Sequence, residues 1–124
     1  RVTAIGDGSS KVSYTGRWRV DRRTAFVGDK THYATAKGAS ATINVAGRGF
    51  AWVGSRWTSS GSARIHVDGR LVKTLDLRSK RTSHQRLLYV RSWASAGTHR
   101  VTIKVVGVGS RTRVDLDGFF VWPQ

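Results

Sequence analysis

Strict alternation of apolar and polar residues, at a period of two, is what most restricts the folding of this chain. Ala41, Ile43 and Val45 alternate with Ser40, Thr42 and Asn44; Ala63, Ile65 and Val67 alternate with Arg64 and His66; Val101, Ile103 and Val105 alternate with Arg100, Thr102 and Lys104. Successive side chains on a strand point to opposite faces, so each segment reads as a half-buried strand and none carries a helical period. The predicted interior is Ile43, Val45, Trp52, Ile65, Val67, Val101, Ile103 and Val105. Asp68-Gly69 between two such runs predicts a tight hairpin, because a type I′ turn needs positive φ at both central residues. Gly47-Arg48-Gly49 predicts a second hairpin and Ala96-Gly97 a reset before a strand from Thr98 to Val106. A last strand is expected from about Thr112 to Trp122, with Pro123 beyond it, where it costs no ladder hydrogen bond. About eight or nine strands at this spacing predict an all-β fold, a two-sheet antiparallel β-sandwich of jelly-roll type.

At 124 residues the chain is long enough for one domain with its own core, so residues 1–124 are read as a single β-sandwich binding module. It contains no cysteine, which excludes disulfides and thiolate chemistry, and no apolar run long enough to span a bilayer as a helix. The first residue is Arg1, which suggests a mature or excised piece of something longer.

Charge narrows the partners. The 22 Lys and Arg residues face 7 acidic ones, all Asp, for a net charge of +15. Such a surface draws polyanions from a distance and raises their on-rate. Arg17, Arg19, Arg22 and Arg23 cluster around Trp18, and Arg78, Lys80, Arg81, His84 and Arg86 form a second group. Two readings stay open for them: a solvated face, or a groove for an acidic polymer, since the planar guanidinium grips carboxylate, sulfate and phosphate with two parallel hydrogen bonds. No nucleic-acid-binding motif accompanies the charge, which leaves a charge-driven polyanion or nucleic-acid binder as the alternative.

Several motifs together carry a resemblance. Ser13-Tyr14-Thr15-Gly16-Arg17-Trp18, Thr31-His32-Tyr33, Gly47 to Gly54, Val67-Asp68-Gly69, Gly97 to Ile103 and Val114 to Val121 resemble the accessory β-sandwich modules of secreted actinobacterial and other Gram-positive proteins. Those modules are similar in fold to galactose-binding-domain-like jelly rolls, a group that includes many carbohydrate-binding modules. The resemblance implies a non-catalytic, secreted module appended to a larger enzyme or surface protein and monomeric within that chain. Its ligand would be a polysaccharide, anionic or wall-associated given the charge. A structural or protein-interaction module of an extracellular assembly is the third reading, and an exposed apolar patch would mark it.

Catalytic signatures are missing. There is no Glu, no Gly-x-Ser-x-Gly elbow around Ser55 or Ser62, and no metal-ligand spacing among His32, His66, His84 and His99. Asp115 and Asp117 stand two apart on one predicted strand and thus on one face. Asp117 resembles the position of a calcium ligand in relatives, but the amino-terminal Glu ligands of those relatives are absent, so calcium at Asp117 stays the less favoured alternative and no other cofactor is expected; Arg113 or backbone N–H groups are the favoured partners of Asp117. The candidate ligand-binding residues are Arg17, Arg19, Arg56, Trp57 and Trp93. Trp57 lies in the polar loop Ser55-Arg56-Trp57-Thr58-Ser59, where an indole can present its face to a pyranose ring. Trp18, Trp52 and Trp122 read as packing, and Tyr89 stands with Trp93 as the reserve platform.

Overall fold

The computed structural model describes residues 2–22 and 30–122. Among them there is no helix, and therefore none that could cross a membrane. Ten strands run β1 (Thr3–Gly6), β2 (Val12–Thr15), β3 (Arg19–Arg22), β4 (Lys30–Ala34), β5 (Ser40–Arg56), β6 (Ser62–Val67), β7 (Arg70–Asp76), β8 (Ser83–Val105), β9 (Val114–Leu116) and β10 (Gly118–Trp122). One sheet has the order β1-β10-β5-β8-β6-β7, with β2 also on β5; the other has the order β3-β4-β9. All the pairings between named strands are antiparallel. The fold is a two-sheet jelly-roll β-sandwich, as the alternation predicts. Arg23 and Pro123 lie outside the described residues.

All eight residues predicted inside are inside, with Val67 the most exposed of them at 6%. Asp68 and Gly69 sit at φ 52° and 82° between β6 and β7, the backbone that the turn requires. The Asp68 carboxylate accepts the Arg100 N–H at 2.8 Å and pairs with His99 Nδ1 at 2.7 Å, tying the turn to β8. The Arg100 N–H first and the His99 hydrogen bond second hold this carboxyl below the usual carboxylate range. Because the folded state then binds the proton less readily than the unfolded one, the contribution of Asp68 is present at neutral pH and is lost on acidification. Tm is expected to fall as pH drops below about 4, and Asp68→Asn should flatten part of that acid arm in a pH series of thermal melts.

Two predicted turns are bulges instead. β5 runs unbroken through Gly47-Arg48-Gly49, and β8 runs unbroken through Ala96-Gly97. The register passes from Gly47↔Gly97 to Gly49↔Ser92, so Arg48 alone stands opposite residues 93–96, and its guanidinium donates to the Ala94 carbonyl at 2.7 Å. An inserted residue switches which parity of the strand faces the core. Ile43 and Val45 point inward before the bulge and Phe50 and Trp52 after it, which lets one strand serve both halves of a bent sheet.

The last predicted strand is likewise two. β9 pairs with β4 in the small sheet and β10 pairs with β1 and β5 in the large one. The chain crosses between layers at Asp117, whose N–H donates to the Val53 carbonyl at 2.9 Å and whose carbonyl accepts the Asp7 N–H at 2.9 Å.

Candidate functional site

The small sheet places functional side chains in rows. Arg19 of β3 is in register with Tyr33 of β4, and Tyr33 with Asp115 of β9. Directly opposed residues of antiparallel strands share a face. Asp21 and Arg113 lie two residues from Arg19 and Asp115 and so fall on that same outer face, while Ala34, Val114 and Leu116 turn to the core.

Arg113 organises this face. Its Nε and one terminal nitrogen donate to the two oxygens of Asp115 at 2.8 and 2.9 Å, and the same terminal nitrogen donates to Asp21 at 2.9 Å. Its guanidinium carbon lies 4.1 Å from the ring centroid of Tyr33 and 4.1 Å from that of Trp57. Cation–π contact and a bidentate fork are used together, which lysine could not reproduce. Burial opposes the charge of Arg113, but Asp115 and Asp21 more than offset it and push its pKa up. Burial pushes the Asp115 carboxyl up, against the lowering effect of Arg113 and Trp57. Asp115 receives three side-chain donors, the third being the Trp57 indole N–H at 2.8 Å.

Each predicted site residue can now be placed. Arg17 and Arg19 are exposed and line, with Tyr33, Thr35 and Ala36, a cleft of about 500 Å³. Trp57 closes the other side of the Tyr33–Arg113 stack; it is half-buried, with its N–H directed inward and the His84 ring edge-on at 4.7 Å. Its N–H and one ring contact are thus committed to the protein. Arg56 does not join this group, for it donates to the Asp76 carbonyl at 3.1 Å. Trp93, on β8, stacks flat on His99 at 3.8 Å, packs against Phe50 and is not among the residues that line the cleft. Tyr89 also packs against the core.

Asp117 is fully buried at the layer crossing, and the partner expected for it, Arg113, is spent on Asp115 and Asp21. Asp115 and Asp117 are both buried, but the strand they were expected to share is broken between the two sheets. Calcium needs about six to eight oxygen ligands. The Asp7 carboxylate beside Asp117 is taken by His32 Nδ1 at 2.7 Å, and among the described residues no three His, Cys, Asp or Glu converge as a metal-holding group.

Ser55 Oγ and His84 Nδ1 share a hydrogen bond at 2.8 Å. The hydroxyl is fully buried, so no substrate carbonyl can reach it. A second, larger groove of about 720 Å³ crosses the outer face of β5, β8 and β6, lined by Thr42, His66, Arg100, Thr102 and Lys104 among others. It sets Arg100 and Lys104 against the single carboxylate of Asp68 and is lined by no Phe, Tyr or Trp.

Tyr33 and Arg113 were not singled out as site residues from sequence. The signal was the Arg-x-Asp spacing of Arg113 and Asp115, which puts cation and carboxylate on one strand face, and an aromatic residue within a short, mostly polar strand.

No protein-family model matches the chain. Over 74 residues, 60% of the chain, it is 30% identical to an A type blood alpha-D-galactosamine galactosaminidase of Flavonifractor plautii, and it covers 7% of that protein. In structure it is similar to a family 35 carbohydrate binding module from Clostridium thermocellum, with a TM-score of 0.67 at 13% identity over 100% of this chain and 99% of that one. It is similar also to a family two carbohydrate esterase from Cellvibrio japonicus, with a TM-score of 0.74 at 17% identity over 100% of this chain but 34% of the esterase. The chain therefore has the fold of carbohydrate-binding β-sandwich modules and spans only a small part of the galactosaminidase and about a third of the esterase.

Proposed function

We propose that this chain is a non-catalytic, secreted carbohydrate-binding module of a larger carbohydrate-active protein, and that it holds an anionic polysaccharide in the cleft of Arg17, Arg19 and Tyr33. The observation that carries the reading is the end-to-end likeness to a family 35 carbohydrate binding module. The cleft adds what such a ligand needs: an aromatic ring for a pyranose face and two exposed guanidinium groups for a carboxylate or sulfate. Tyr33 is held in place by Arg113, so the platform is formed before ligand arrives.

A glycan array read at low and high salt tests this. Uronate or sulfated polymers should bind, neutral counterparts should not, and Arg17→Ala/Arg19→Ala should weaken binding about tenfold at low salt and less at high salt, where exposed charges are screened. The groove of Arg100 and Lys104, which no Phe, Tyr or Trp lines, supports the second reading, a polyanion or nucleic-acid binder working by charge alone. That binding would collapse as salt rises, with a slope set by the number of contacts, and would be lost in Arg100→Ala/Lys104→Ala instead.

The fold is proposed to need no calcium. A ligand that binds only the folded state raises its stability by mass action. Melts with and without a chelator should therefore superimpose, and a chelator-sensitive drop in Tm would show that backbone carbonyls complete a site at Asp117.

A further inference from the structure

The half-sheet of β1, β10, the second half of β5 and the first half of β8 has, on the side away from the core, an apolar outer face that is exposed at Leu87 and Val90. Register aligns Ala4, Phe120, Ala51 and Val90 in one row across four strands, and Gly118, Val53 and Leu87 in the next. Their alternate neighbours Ile5, Phe119 and Trp52 point into the core. Ala51 and Val53 are buried without belonging to that core, as members of the opposite face. Trp122 lies across the same face: a Cβ on Gly49 would come within 2.3 Å of its indole, so only glycine leaves room for the ring there. Leu87 is 59% exposed and Val90 52%.

The character of this face decides its occupant. Neither row carries a polar side chain, so the hydroxyl groups of a sugar would lose water there without gaining partners. A second copy would bring +15 against +15, which opposes self-association. The apolar side chains lie flat on a sheet, with Ala51 and Val53 only 3% and 4% exposed, and do not project as a membrane wedge would. Both ends of the described chain leave the fold beside this face, since Thr3 pairs with Val121 and Trp122 follows. A domain on either flank is delivered to the edge of the patch.

We propose that this face is the docking surface for the neighbouring domain of the same polypeptide, one that presents a flat apolar surface. The inference rests on the reading of this chain as one module of a larger protein. Docking there would fix the direction in which the carbohydrate cleft is presented to that neighbour.

Hydroxyl-radical footprinting with mass spectrometry tests it, comparing the 124-residue chain alone with the full polypeptide that carries it. Oxidation of Leu87, Phe120 and Trp122 should fall several-fold in the full polypeptide, while Tyr33 at the cleft should be unchanged. Leu87→Asp/Val90→Asp should restore oxidation of Trp122 in the full polypeptide and leave the Tm of the isolated chain within a degree or two, because both side chains are already exposed. Equal oxidation in the two forms would overturn the proposal, as would a polypeptide with no second domain. Dimerisation of the isolated chain in sedimentation, or protection of Trp122 by phosphatidylserine vesicles, would assign the face to a second copy or to a lipid surface and overturn it equally. A glycan array on the isolated chain reports on the carbohydrate reading separately, so either can fail without the other.

Discussion

Arg113→Ala is expected to destabilise the domain by about 3 kcal/mol, more than any other single change to a charged residue, because it strands Asp115 in the interior with its two strongest donors gone. Asp115 is fully buried and Arg113 partly so, with 15% of its side chain exposed. A buried carboxylate that loses its partner must protonate or hydrate, and both cost stability. Arg113→Lys should recover little, since an ammonium cannot span both Asp115 oxygens, reach Asp21 and lie flat on two rings at once. Urea denaturation of the two variants is the measurement. A loss below about 1 kcal/mol in Arg113→Ala would mean that this network behaves as an ordinary surface ion pair.

That network also marks the boundary of what was legible in the sequence. Alternation located Ile43, Val45, Ile65, Val67, Val101, Ile103 and Val105 correctly, because a strand with one solvated side writes its burial into its parity. Asp68-Gly69 was legible for a local reason too: the turn geometry selects its own residues. The bulges at Arg48 and at residues 93–96 were not, because glycine flanking an arginine looks alike in a turn and in a bulge, and only the long pairing of β5 with β8 distinguishes them. The switch at Asp117 was hidden likewise, since Val114 to Val121 remains apolar at alternate positions while the chain changes sheet. Site residues suffered most. Arg17 and Arg19 were legible as exposed cations near one another, but that Tyr33 joins their cleft depends on the pairing of β3 with β4, a contact between distant segments. Arg56, one residue from Trp57, ends β5 and donates to the Asp76 carbonyl, a partner that sequence adjacency to Trp57 does not reveal.

Trp57→Ala should cost about 3 kcal/mol of stability as well as glycan affinity, and the reason sets how that variant must be read. A loop tryptophan serving only a ligand could be removed without harm to the fold. This indole instead donates its N–H to buried Asp115 and lies against Arg113, so alanine removes a charge-assisted hydrogen bond worth about 1.5–3 kcal/mol and leaves a cavity beside the guanidinium. Loss of binding in Trp57→Ala therefore does not by itself place the indole against the sugar. Trp57→Phe separates the roles, because phenylalanine keeps a ring for Arg113 and lacks the N–H. It should lose about 1–2 kcal/mol by thermal or urea denaturation, yet keep glycan affinity within about threefold, since the platform offered to the ligand is Tyr33. Parental stability in Trp57→Phe would disprove the anchoring of Asp115 by the indole. A collapse of affinity in a well-folded Trp57→Phe would instead place the indole itself in the binding surface, because that substitution leaves Arg17, Arg19 and Tyr33 where they were.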